Sequence, residues 1–150
     1  MNRGDEFASA IPADWTRKKL KYLAHMQSGN SITAESISDS GDYPVYGGNG
    51  LRGFTSGFTH SGEFVLIGRQ GALCGNIAFA SGKFWASEHA VVVDTRGKVS
   101  VRWLGELLRA LDLNQHAQSA AQPGLAVDTI ANITVPVPPR GLPARHKRIR

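Results

Sequence analysis

Residues 43–54 read YPVYGGNGLRGF, a short apolar run that leads into G-x-G-x-x-G at Gly48, Gly50 and Gly53. Two folds accommodate such glycines. A phosphate-cradling turn closes a strand, opens a helix and belongs to a parallel, nucleotide-binding sheet. Tight turns and close strand approaches belong instead inside a β-rich domain. The neighbouring residues decide between them. Residues 54–64, FTSGFTHSGEF, are turn-rich β sequence rather than helix, and no acidic residue stands near position 73 to bind a ribose. Thr55 occupies the place of a kinase-loop valine, and no V-A-I-K strand is present. A Walker loop fails as well, because Phe84 follows Gly82-Lys83 and Ile77 stands where its first glycine belongs. The glycines read as architecture.

The β pattern extends outward from this stretch. Between Tyr43 and Asp94 the runs YPVY, RGFTS, GEFVLIGR, GNIAFAS, KFWAS and AVVVD are short and rich in β-branched and aromatic residues. Gly, Ser and Asn punctuate them, which predicts a mainly antiparallel sheet. The period then changes. Leu104, Leu107, Leu108 and Leu111 recur at helical spacing and predict an amphipathic helix from Val101 to about Asn114, packed on the sheet. Upstream, residues 14–26 (DWTRKKLKYLAHM) predict a strand or short extended segment that buries Trp15, Leu20, Tyr22 and Leu23 and shows Arg17, Lys18, Lys19 and Lys21 on its other face. Residues 28–42 are Ser-, Gly- and Asp-rich and read as a loop with one helical turn. Downstream, Pro123-Gly124 marks a turn, Asp128 is placed to cap a short helical turn through Ile130, and ITVPVP is extended. The architecture expected is α+β: one globular domain with a twisted sheet, a packed amphipathic helix and the start of a C-terminal helix. Residues 1–13 read as a flexible arm, 14–140 as the domain, and 141–150 as the first residues of a helical spacer.

Composition sets outer bounds. The chain has 150 residues, enough for one modest core. A net charge of +5 favours an acidic partner, with nucleic acid the commonest. The lone Cys74 excludes an internal disulfide and reads as a small core residue. With no signal-peptide core and no apolar run of membrane length, the expected location is the cytoplasm, away from membranes.

Catalytic patterns are absent from the sequence. Five scattered histidines show no metal-ligand spacing with one another or with Cys74, and no G-x-S-x-G elbow occurs. Glu88-His89 is an adjacent acid–base pair, but a buried histidine at a strand start is its plainer reading. The 12 Asp and Glu residues form no cluster of the kind a nuclease or methyltransferase requires.

The basic residues are distributed differently. Arg52, Arg69-Gln70, Lys83 and Arg96 sit in turns between β runs, beside Asn49, His60, Asn76 and Ser87. Arginine can bridge guanine and Asn or Gln can bridge adenine, so this mixture suits direct readout of base edges. The dense run of Arg17, Lys18, Lys19 and Lys21 suits phosphates instead.

Taken in order, DWTRKKLKYLA, YPVYGGNGLRGF, GEFVLIGRQGALCGNIAFASGKFWASEHAVVV, the leucine-rich helix, QPGLAVDTIANITVPVPP and LPARHKRI resemble a target recognition domain. The family is the DNA specificity (S) subunit of type I restriction–modification systems, and the resemblance runs from about Trp15 to Ile149. It implies a non-catalytic domain that reads one half of a bipartite site in double-stranded DNA. It also implies partners: methyltransferase (modification) subunits, the restriction subunit, and a second recognition domain or second copy. S-adenosylmethionine and ATP/Mg are implied for those partner subunits, with no cofactor and no metal in this chain. The DNA-binding residues expected are Arg17, Lys18, Lys19, Lys21, Asn49, Arg52, His60, Arg69, Gln70 and Lys83. The sequence departs from the family at Ala144-Arg145-His146, where Glu-Gln commonly follows the exit prolines. The alternative reading is a protein-interaction or antirestriction module that docks methyltransferase subunits without reading DNA, although a DNA mimic would be acidic.

Overall fold

The run FVLIG at residues 64–68 is buried at every position, so both faces of its strand are covered. The computed structural model describes residues 14–71, 74–117 and 125–138 and shows what covers each face. Among the described residues there are eight strands. They are β1 (Thr16–Lys19), β2 (His25–Ser28), β3 (Tyr43–Gly47), β4 (Gly50–Thr55), β5 (His60–Gly68), β6 (Ile77–Ala86), β7 (Ala90–Asp94) and β8 (Thr134–Val137). Helices α1 (Val101–Ala110) and α2 (Val127–Ala131) complete the regular elements, together with short 3₁₀ turns. β1 and β8 form an antiparallel ribbon, and the other six strands form one sheet in the order β2-β7-β5-β6-β3-β4. Its pairings are antiparallel apart from β3 beside β6.

Alternation along β5 divides the interior in two. Val65 and Ile67 face a large cluster with Val91 and Val93, Leu104, Leu107 and Leu108 of α1, Leu20, and Val135 and Val137 of β8. Phe64 and Leu66 face a smaller one with Ala80, Phe84, Ala86 and Val92. The sheet cannot be flat. Phe84 pairs with His60 at one end of β5, whereas Ala90 pairs with Gly68 at the other. Eight steps of strand cover about 26 Å, yet the six steps from Phe84 to Ala90 reach at most about 22 Å. The β5–β6 hairpin therefore curls back on itself, with the smaller cluster lying between the sheet's approaching ends.

Helix α1 forms where the leucine spacing places it. Ser100 caps it, its hydroxyl accepting from the Trp103 amide at 3.1 Å. Gly105 lets the Phe79 ring lie against the helix, since a Cβ there would overlap the ring. Phe79 is then covered by the Arg102 and Arg109 guanidinium groups, 4.7 and 5.6 Å from its centroid.

Several expectations need correction. The helix ends at Ala110 rather than Asn114, because Asp112 adopts a left-handed conformation (φ 55°) that an α-helix cannot continue through. Leu111 is only half-buried. Tyr22 is 61% exposed and Trp15 half-buried, because Leu20 and Leu23 turn into the core through a 3₁₀ turn instead of strand alternation. Ala126 occupies the cap of α2, while Asp128 lies in its first turn, where a carboxylate suits the helix dipole. The expected arm (1–13), the Pro123-Gly124 turn and the C-terminal segment (141–150) lie outside the described residues.

Candidate nucleic-acid interface

The curl brings together three segments that are far apart in sequence. β3 and β4 are joined by Gly48-Asn49, with Gly47 opposite Gly50, and Gly50 takes a left-handed φ of 105° that favours glycine. β3 runs parallel to the end of β6, and the Ser87 amide donates to the Tyr46 carbonyl at 2.9 Å. This places Gly48 against both Gly68, at the end of β5, and the His89 carbonyl. A Cβ at Gly68 would overlap the Gly48 carbonyl oxygen, so the two backbones meet only because Gly68 has no side chain. Main-chain bonds fix the rest: the Arg69 amide to the His89 carbonyl at 3.1 Å, and the Gly68 amide to the Asn76 carbonyl at 3.0 Å.

Four of the sequence-expected residues converge on this end. Asn49 lies at the hairpin tip and Arg52 three residues on, its stem lying where a Cβ of Gly47 would sit. Arg69 and Gln70 leave the end of β5, the first half-buried and the second exposed. Neither Arg52 nor Arg69 makes an ion pair or side-chain hydrogen bond among the described residues. Asn76, from the start of β6, joins them: its Nδ2 donates to Asn49 Oδ1 at 3.2 Å. A cleft of about 310 Å³ opens beside this pair, and Gly47, Gly48, Gly50, Gly75, Arg109, Asp112 and Asn114 are among its lining residues. Residues 109–114 had no sequence signal for this role, since helical spacing places Arg109 simply on a solvent face.

The remaining expected residues lie elsewhere. Arg17, Lys18 and Lys19 are all exposed on β1 of the separate ribbon, and Lys21 follows with its Nζ 5.5 Å from the Tyr22 ring. Lys83, at the other end of the β5–β6 ladder, has its Nζ 5.1 Å from Phe58, whose ring meets Tyr43 edge-on. His60 is half-buried, stacked on Phe84 at 5.5 Å, and its Nδ1 shares a 2.7 Å hydrogen bond with Thr59 Oγ1. Burial holds its imidazole below the ordinary histidine range, with Asp94 opposing that shift. These contacts are those of a packing residue.

Little in the geometry suggests chemistry. Glu88 and His89 approach to 3.8 Å in a half-exposed turn, so the buried histidine expected at this strand start is in fact open to solvent. Buried Ser87 holds that turn by accepting from the His89 amide. Cys74 is buried as a core residue, with Asn114 Nδ2 donating to its carbonyl at 2.8 Å. Among the described residues no three His, Cys, Asp or Glu side chains come together, and no helix is long and apolar enough to cross a membrane.

Known proteins resemble the chain in sequence and in fold. The sequence pattern of the type I restriction modification DNA specificity domain matches residues 12–141. Over 126 residues the chain is 44% identical to the type I restriction enzyme EcoprrI specificity subunit of Escherichia coli, covering 81% of this chain and 31% of that protein. It is 34% identical, also over 126 residues, to the putative type I restriction enzyme specificity subunit S.HindORF215P of Haemophilus influenzae, covering 81% and 33%. The chain thus spans about a third of the length of these curated relatives. Its fold is shared with the type I restriction–modification S subunit from M. genitalium (TM-score 0.72, 15% identity, 84% of this chain and 35% of that one). The HsdS subunit from Thermoanaerobacter tengcongensis is similar as well (TM-score 0.64, 16% identity, 86% and 34%).

Proposed function

The chain belongs to the type I restriction modification DNA specificity family, and from that premise we propose that it is one target recognition domain, spanning 14–140, that reads half of a bipartite DNA site. The observation that carries this reading is the convergence of Asn49, Arg52, Arg69 and Gln70 on one end of the sheet, with both arginines unpaired among the described residues. Unpaired guanidinium groups and exposed amides on a rigid backbone suit base edges, whereas exposed lysines on a ribbon suit phosphates. Arg17, Lys18, Lys19 and Lys21 supply sequence-independent affinity in this division of labour, and Lys83 and His60 lie at its margin. The domain selects the site and leaves chemistry to others: methyl transfer and cleavage, with S-adenosylmethionine and ATP/Mg, belong to modification and restriction subunits. A second recognition domain or second copy reads the other half-site. The setting is the cytoplasm, where those subunits and the DNA meet.

The test is selection from a duplex library by the 150-residue chain, repeated across salt concentrations. A short enriched sequence is expected, with log K falling against log salt by about 0.9 per phosphate neutralised. Binding to methyltransferase subunits with no enriched sequence and a flat salt response would instead establish the docking-module alternative.

A further inference from the structure

We propose that the Asn49–Asn76 amide pair is a built reader for adenine, with Asn76 contacting the base and Asn49 acting as its positioning residue. The inference rests on the DNA-reading role proposed above and names the base that this part of the site selects.

The geometry is specific to the pair. Asn76 Nδ2 gives one hydrogen to Asn49 Oδ1 at 3.2 Å. That bond decides which way the Asn76 amide faces and leaves its second N–H and its carbonyl oxygen uncommitted. In the arrangement we infer, the hydrogen on the carbonyl side is the free one. A donor and an acceptor side by side are what the major-groove edge of adenine requires, with N7 accepting and the N6 amino group donating. Guanine presents two acceptors there and would leave the Asn76 oxygen facing another oxygen. Cytosine offers a donor without the acceptor.

Preorganisation is the second argument. The main chain at Asn76 is held by the Gly68 amide, and the preceding Gly75 bonds back to the Gly68 carbonyl at 2.7 Å. Gly75 has a φ of 97°, and a Cβ there would meet the Asn114 backbone at 2.7 Å, so no other residue fits this turn without strain. Asn49 comes from a different hairpin, itself seated on Gly68. Both amides are exposed, and four glycines are among the residues that line the cleft beside them. An amide already oriented loses less freedom on binding than a free one.

The experiment compares sequences selected by the parent chain, Asn76→Ala, Asn49→Ala and Asn49→Asp, and adds 7-deazaadenine at each selected adenine. The parent should select adenine at one position where Asn76→Ala lowers the preference roughly tenfold or more, leaving other positions unchanged. The deaza base, which lacks N7, should cost the parent a similar factor and cost Asn76→Ala nothing further. Asn49→Ala should weaken the same preference. Asn49→Asp should restore it, because a carboxylate still accepts from Asn76, an outcome that a merely structural asparagine would not produce. Retained adenine preference in a folded Asn76→Ala chain, or no deaza effect at any selected adenine, overturns the proposal. Should Asn76→Ala unfold, the deaza series on the parent decides alone. A parent that selects no sequence overturns the DNA-reading role itself, before any variant is compared.

Discussion

The β1–β8 ribbon and the glycine-seated end of the curled sheet both present cations, but they hold them in opposite ways. On β1 every residue is exposed, and Arg17, Lys18 and Lys19 extend from a strand whose only partner among the described residues is β8. Their heads are free to follow whatever charge lies opposite. At the sheet's end the polar side chains are few. Each departs from backbone fixed by main-chain bonds or by the close approach of glycines. Mobile, dense charge gives affinity that salt erodes. Sparse, fixed groups give discrimination. The difference lies in what holds the backbone, since both regions use similar residue types.

The largest effect should come from the support that the two regions share. Leu108 belongs to the same cluster as Leu20 and Val135 behind the ribbon and Val65 and Ile67 behind the sheet's end. Leu108→Ala should cost roughly 2–5 kcal/mol and lower the denaturation midpoint of both regions together. An unchanged midpoint would mean that they do not rest on one core. Gly68→Ala should separate them. Its Cβ meets the Gly48 carbonyl, and overpacking of this kind costs about 1–3 kcal/mol. Duplex selection by that variant should lose its enriched sequence while the salt slope survives; retained selectivity would show that the seating of Gly48 on Gly68 does not set the reading geometry.

Two smaller effects sharpen the contrast. Arg69→Ala or Gln70→Ala should change preference at one base pair by about 1–3 kcal/mol, read as altered rank order among library members. An unaltered order would move readout to the 30–42 loop or to the turn at Lys83. Replacing Lys18 and Lys19 with alanine should weaken all sequences nearly equally. The salt slope should fall by about one for each phosphate that is no longer neutralised. A sequence-dependent weakening there would erase the distinction between the two regions.

What the sequence discloses, and what it hides, follows the range of the interactions. Leu104, Leu107 and Leu108 report a helix face because their spacing is local, and GEFVLIGR reports a strand. The glycines of YGGNGLRG were legible as architecture for the same reason. Contacts across the sheet were not. Nothing local to Asn49 announces Asn76, which reaches it only because β3 runs parallel to the end of β6 and the hairpin curls. Nothing local to His60 announces Phe84, its partner on β6, as the ring on which it stacks. Tyr22 looks buried by alternation, yet the chain changes to a 3₁₀ turn one residue after β1 and the alternation lapses.

Where the chain leaves β5 at Gly68 and returns at Asn76, amide-to-carbonyl bonds between those ends close it, and Arg69 adds bonds of its backbone alone. The side chains of Arg69 and Gln70 are therefore not needed to keep it shut. Surface positions outside such bonds ordinarily tolerate replacement within about 0.5 kcal/mol of stability. In the proposed reading, changes at 69 and 70 redirect which duplex is chosen while leaving the melting temperature nearly still. Recognition and foldability then become separate variables, and a lineage carrying this loop can explore new targets without first acquiring spare stability.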